Sequence, residues 1–270
     1  MGIKHRNKGI RDEIKMRIIS LNINDFGGTQ EHLACYKNSR NHTNWNAWRN
    51  VPKTHVIDKL KYLVLHKDPT VFILQEFELN NSNEPMDFLK WMDENGYVVK
   101  GAMPKYKVST TIFFIKKEPI SEVDITHGKT GLDARDFAIK IRDYIIYGTH
   151  VPLNSAMRPT VRENYWDEII AFYNKHKEDN LVLLGDFNTF DESTEAYRKY
   201  QHLLECGAYD LWLRRGNPKD TPTELKFRKR LDYVFISPRV EKNVVSMDID
   251  LDTMDKEKIT DHAALILELK

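Results

Sequence analysis

Cysteine is nearly missing from this chain: Cys35 and Cys206 are the only two in 270 residues. A disulfide framework is therefore excluded, and a reducing compartment, the cytoplasm, is the expectation. Long apolar runs are missing too, which excludes a transmembrane span. The opening Met1-Gly2-Ile3-Lys4-His5-Arg6 is polar and basic with no apolar segment behind it, unlike a secretory leader. Arg6 occupies the position where an N-myristoylation signal needs Ser or Thr. Net charge is almost absent: 41 Lys and Arg against 40 Asp and Glu leave +1. Attraction to a polyanion must then come from local clusters rather than an overall field. No repeat, linker or low-complexity tract divides the chain. Residues 1–15 read as a flexible N-terminal arm and 16–270 as a single domain, long enough to bury a substantial core.

What is present is an ordinary globular composition, 41% hydrophobic and 30% charged, punctuated by polar residues at strand ends. The clearest case is Leu181-Val182-Leu183-Leu184-Gly185-Asp186-Phe187-Asn188. Four aliphatics read as a strand buried on both faces, and Gly-Asp-x-Asn follows where it leaves the sheet. An acid and an amide two residues apart can converge on one water or one metal ion. The same pattern is common turn chemistry, since both side chains cap their own backbone.

The remaining elements alternate along the chain. Residues 16–24 read as a strand ending at Asn22, and 25–53 as a long excursion rich in Asn, His and Trp. Within it His32, Cys35 and His42, with His55 beyond, match no zinc-site spacing. A helix over 56–66 precedes a strand over 71–76 that ends in Glu76, and Asn83-Glu84-Pro85 opens a second helix stopping at Gly96. Strands over 110–115, 137–141 and 144–149 read as an antiparallel meander leading into His150. Thr160-Val161-Arg162-Glu163 has the capping-box pattern at the head of an amphipathic helix. A further helix over 193–205, strands over 230–236, 244–249 and 263–269, and Asp261-His262 before the last strand complete the pattern.

Asn22, Glu76, His150, Asp186, Asn188, Asp232, Asp261 and His262 thus gather at strand ends. Each alone has a plain structural reading as a solvated carboxylate, a satisfied histidine or a cap. Together, the segments Ser20-Leu21-Asn22-Ile23-Asn24, Leu74-Gln75-Glu76, Gly148-Thr149-His150-Val151-Pro152, Leu184-Gly185-Asp186-Phe187-Asn188, Arg230-Leu231-Asp232-Tyr233 and Thr260-Asp261-His262 resemble the endonuclease/exonuclease/phosphatase superfamily, built like deoxyribonuclease I and exonuclease III. The segments follow the family's order across residues 16–270. The resemblance implies a four-layer α/β/β/α sandwich, two packed mixed sheets flanked by helices, with a metal-dependent phosphoester cleavage site along one rim.

Carried over position by position, the resemblance implies that Glu76 is the principal ligand of Mg²⁺ or Mn²⁺, assisted by Asn22 and Asp261. Asp186 would orient or deprotonate the attacking water, with Asn188 holding the same site. His262 would bind the scissile phosphate with Asp232 fixing its ring, and His150 would act as general acid or phosphate ligand. Arg135 and Asn24 would contact substrate.

The substrate is less constrained. Phe227-Arg228-Lys229 precedes the Arg-Leu-Asp segment where repair endonucleases of the family place an aromatic residue directly. Leu184 and Arg230-Leu231-Asp232 match neither hallmark of the inositol-polyphosphate phosphatases, and no apolar hairpin of the sphingomyelinase type is visible. Arg228 and Arg230, with Lys226, Lys229, Arg214 and Arg215, form a basic run that could track a phosphate backbone. Trp45 and Trp48 could stack on bases, although tryptophan is more often core. The expectation is a monomeric nuclease cutting DNA or RNA. A phosphatase or phosphodiesterase of a small or lipid phosphoester, and a catalytically silent binding protein on the same fold, stand as alternatives.

Overall fold

The computed structural model describes residues 16–28, 54–79, 83–103 and 108–270. Its twelve strands form two six-stranded sheets. The first runs β11 (Val244–Asp250), β12 (Ala264–Leu269), β1 (Met16–Asn22), β2 (Val71–Phe77), β4 (Thr110–Lys116), β3 (Tyr97–Gly101). The second runs β5 (Ile120–Glu122), β6 (Asp136–Ile141), β7 (Tyr144–His150), β8 (Asn180–Asp186), β10 (Asp232–Ile236), β9 (Tyr209–Asp210). Both are mixed: β1–β2 and β7–β8 are parallel, and the other pairs are antiparallel.

Period-two alternation explains the layering. In β1, Met16 and Ile18 join Val71, Ile73, Ile146, Val182, Leu184 and Val234 in a core between the sheets. The intervening Ile19 and Leu21 face the other way, against α1 (Thr54–Lys67) and α2 (Glu84–Glu94) through Leu60 and Phe88. Leu181 and Leu183 of β8 likewise meet α3 (Val161–His176) and α4 (Glu195–Glu205) through Trp166 and Tyr200. Strands buried on both faces need apolar residues at every position, which is why they read as continuous runs. The order helix, sheet, sheet, helix is the four-layer sandwich that the motifs imply.

Three local expectations are corrected. Residues 110–149 do not make one meander, because β4 pairs with β2 and β3 in the first sheet while β6 and β7 pair in the second. Alternation reveals strands but not sheet membership. Thr160 is the N-cap residue of α3, but its side chain makes no cap hydrogen bond and Glu163 instead accepts from the Asn154 amide. The strand expected over 230–236 begins only at Asp232, where pairing with Asp186 of β8 starts. The readings of His32, Cys35, His42, Trp45 and Trp48 lie outside the described residues, as does the 1–15 arm. Among the described residues no helix is long and apolar enough to cross a membrane.

Candidate active site

The rows of side chains that build the inter-sheet core end in polar residues at one rim. Ile18 and Ser20 lead to Asn22 on β1, Val182 and Leu184 to Asp186 on β8, and Val234 to Asp232 on β10. Ile146 and Gly148 lead to His150 on β7. The alternation that buries the aliphatics therefore aims these four groups at the seam between the sheets. Register brings them together: Asp186 is paired with both His150 and Asp232. Gly185 permits this closeness, since its φ is +142° and a Cβ there would lie 2.0 Å from the Thr149 carbonyl oxygen.

Glu76 breaks the rule. By alternation it would follow Phe72 and Leu74 toward the helices. A register shift between Leu74 and Phe77, and a φ of +54° at Glu76, turn its carboxylate into the seam instead. A bulge beside a functional site commonly re-aims one side chain in this way, and a non-glycine residue at positive φ is a local strain held by its surroundings.

The resulting contacts run within each sheet and across the seam. The Asn22 amide donates to Glu76 Oε1 at 3.2 Å and to Asp186 Oδ2 at 3.0 Å, while its oxygen accepts the Asn24 N–H at 2.9 Å. His150 Nε2 lies 3.4 Å from Glu76 Oε1 and 3.8 Å from Asp186 Oδ2. Arg135 Nη1 lies 2.9 Å from His150 Nδ1. The same nitrogen lies 3.4 Å from His150 Nε2, so the guanidinium sits against the ring and favours its neutral form. His262 Nδ1 is 2.9 Å from Asp232 Oδ2, again across the sheets. Asn188, at φ +46°, donates its N–H to Asp186 Oδ1 and its amide to the Val151 carbonyl, each at 2.9 Å.

Charges at the seam are set by burial and by each other. Glu76 keeps 31% of its side-chain surface exposed. Burial still raises its pKa, and the nearby Asp261 raises it further. Burial, then Asp232 and Glu76, hold Asp186 at about 7 against the opposing pull of His262. For His262 burial disfavours the charged ring, but Asp232, Asp186 and Asp261 outweigh it and raise its pKa well above 6.5. His150 goes the other way: burial, Arg135 and His262 push it well below 6.5.

Glu76, His150 and Asp186 stand close enough to share a metal ion. The two carboxylates of that set suit a hard divalent cation better than the imidazole does. Burial and then the repulsion of Asp261 raise the pKa of Glu76, and a bound cation would relieve both.

Three expected substrate contacts are held by other partners. Arg230 is 5% exposed and forms a bidentate pair with Asp210 at 3.0 and 2.6 Å, which corrects its reading as a phosphate contact. Its guanidinium is committed to holding β9 to the chain entering β10. Asn24 is buried beside Asn22 and gives its amide to the Gly28 carbonyl at 3.4 Å. Arg228 is exposed and pairs with Asp255 at 3.1 Å. One residue went unread: Thr223, fully buried, accepts the N–H groups of Leu231 and Asp232 at 2.9 and 3.0 Å. Nothing periodic marks it in its polar loop. Thr260, inside a recognised motif, donates to the Asn22 carbonyl at 2.8 Å and ties the last segment to β1.

Residues 43–262 match the model of the Endonuclease/Exonuclease/phosphatase family. The chain belongs to that family. No curated protein sequence matches it. Among solved structures, an AP endonuclease from Archaeoglobus fulgidus superposes with a TM-score of 0.70 at 17% identity, covering 94% of this chain and 99% of the other. A 3'-5' exonuclease (NExo) from Neisseria meningitidis gives 0.66 at 16% identity, with 94% and 100% covered. The 3' phosphatase NExo from Neisseria bound to product DNA hairpin gives 0.67 at 17%, with 94% and 99% covered. The family match supports a phosphoester hydrolase, and the neighbours show its fold.

Proposed function

We propose that this protein is a metal-dependent nuclease that hydrolyses phosphodiester bonds at the inter-sheet seam. The observation that carries the reading is the cross-sheet cluster itself: two strained or buried carboxylates, a neutral histidine and a carboxylate-bound histidine converge on one opening. Glu76, with Asp261, would hold Mg²⁺ or Mn²⁺, which when bound neutralises phosphate charge and stabilises the leaving oxygen. Asn22 serves as a brace, since its amide nitrogen bridges Glu76 and Asp186.

Asp186 receives the proton of the attacking water. A carboxyl at about 7 is matched to that task near neutral pH, and the Asn188 N–H fixes its other oxygen. His262, kept protonated by Asp232, donates from Nε2 to a phosphate oxygen. His150, kept a neutral ring by burial and by Arg135, contacts the phosphate beside it. Arg228 adds a rim contact to the phosphate backbone.

The test is a gel assay of supercoiled plasmid, linear duplex, single-stranded DNA and RNA with Mg²⁺, Mn²⁺ or EDTA, beside an Asp186→Asn control. Metal-dependent cutting that the control lacks supports the reading. Intact nucleic acid in every lane, with turnover of small phosphate esters, refutes it in favour of a phosphatase.

A further inference from the structure

Beside the seam, a cavity of about 350 Å³ opens between the loop after β8 and the turn before β10. Phe190, Tyr197 and Tyr233 wall it with rings, and Lys219, Arg228 and Lys229 stand along it with the acids Asp191, Glu192 and Asp220, Lys219 being paired with Glu192 and Arg228 with Asp255. None of these takes part in the cross-sheet cluster. Phe190 extends the wall outward by facing Phe227, ring centroids 6.2 Å apart and planes 26° apart. Both rings are exposed, 38% and 54%.

Exposed phenylalanines often sit on loose loops, but these are held rigidly. Thr189, next to Phe190, is buried, and its carbonyl accepts the Tyr233 hydroxyl at 2.6 Å. Its own hydroxyl accepts the Trp166 indole N–H at 3.0 Å. Phe227 rides on a turn whose Lys226 and Phe227 N–H groups are both bound at 2.7 Å by the buried Glu224. The next link is to the site itself, since Leu225 N–H donates to the Asp261 carbonyl at 2.9 Å. Both rings are therefore fixed relative to the reacting centre, at a cost in exposed apolar surface that the fold does not require.

We infer that this pocket receives an unpaired nucleobase of the strand being cut, stacked on Phe190 and Phe227 with its flanking phosphate toward Lys219, Arg228 and Lys229. The assignment rests on the nuclease reading above. A π-face wall accepts any base, while Lys229, and Lys219 and Arg228 on exchanging their exposed Glu192 and Asp255 partners, meet the phosphate that accompanies it. A base pair cannot enter a cavity of this size, so the occupant is single-stranded, frayed or flipped out of a duplex.

The experiment moves one reduced abasic spacer along a single-stranded oligonucleotide on both sides of the cleaved bond. It compares the wild type with Phe190→Ala/Phe227→Ala, and with Phe190→Tyr/Phe227→Tyr to restore the rings. At one spacer position the wild type should lose about 5- to 150-fold in kcat/KM, the range that one stacked base supplies. The alanine variant should show little difference between base and spacer there, and the tyrosine variant should recover it. Equal spacer penalties in wild type and alanine variant, or a spacer that is neutral or beneficial at every position, overturns the pocket assignment while leaving the nuclease reading standing. A wild type that neither binds nor cuts any oligonucleotide overturns both. Near-identical circular dichroism and melting of the three proteins guards against a folding defect.

Discussion

Replacing Asp232 with Asn removes one charge from a pair whose side chains are 9% and 3% exposed, and keeps its shape. In the wild type, burial favours the neutral His262 ring, and the Asp232 carboxylate first among its neighbours reverses that preference. Without it, Asp186 and Asp261 remain but neither touches Nδ1 in the way Asp232 does at 2.9 Å. His262 then titrates lower and its tautomer is no longer fixed. A hydrogen bond to a charged group contributes about 1.5–3 kcal/mol. At about 2–4 °C per kcal/mol for a chain of this size, the melting temperature should fall by about 3–12 °C at pH 6.

The sign of the pH effect follows from the raised value in the folded state. Stability from this pair is full below about 6.5 and is lost as pH rises through the folded value. The Asn variant should lack that alkaline decline. Turnover should drop by about 10²–10⁴, the usual worth of a correctly protonated group in proton-transfer chemistry. Histidine-selective NMR, with His262→Gln to assign the resonance, reads the ring directly. A variant whose His262 is still protonated at pH 8, or whose kcat/KM stays within about threefold of wild type, would show that Asp232 does not control this histidine.

Asp186→Asn should abolish turnover and flatten the pH dependence of stability in EDTA. A carboxyl held at about 7 in the folded state contributes fully below about 3.9 and loses that contribution as pH rises through 7, so denaturant midpoints at pH 5 and 8 should converge in the variant. Unchanged spacing of the two midpoints would contradict the buried placement of Asp186. Arg230→Ala should destabilise by about 3–5 kcal/mol in chemical denaturation, because it strands a buried Asp210. Arg228→Ala should instead change stability by less than about 0.5 kcal/mol and lower the slope of log affinity against log salt by about 1. A normal melt for Arg230→Ala together with a reduced salt slope would reverse the two assignments.

Much of this was legible because the site continues the core pattern. Once Ile18, Val182 and Val234 are read as inward-facing, Asn22, Asp186 and Asp232 follow by counting in twos. Glu76 is where counting fails, since parity points it at the helices and only its motif marks it. A bulge and a positive φ are backbone events that periodicity does not encode. Arg230 failed for a different reason: in sequence it belongs to a basic run, and the Asp210 that claims it is brought near only by the β9–β10 pairing. Thr223 shows the same limit. Its task is to receive two backbone N–H groups, and no spacing rule announces such a partner.

Three contacts of the site join the two sheets: Asn22 with Asp186, Glu76 with His150, Asp232 with His262. Sheet separation should therefore affect chemistry before it affects folding, and Gly148 offers a way to change it. Two residues from His150 on the same face of β7, it meets the first sheet so closely that a Cβ would lie 2.7 Å from the Phe113 ring and 2.9 Å from Ile73. Gly148→Ala must push Phe113 back to at least the 3.4 Å of ordinary contact, and both neighbours are fully buried with nowhere to rotate. Overpacking of this kind costs about 1–3 kcal/mol, which a domain of ordinary stability survives at 25 °C. A displacement approaching 1 Å between reacting groups can cost about 10²-fold in rate. The variant should thus remain folded, with a lowered melting temperature, and lose far more activity than its folded fraction explains. Full kcat in a measurably destabilised Gly148→Ala would mean that the sheets absorb the methyl elsewhere, and that the site does not depend on their spacing.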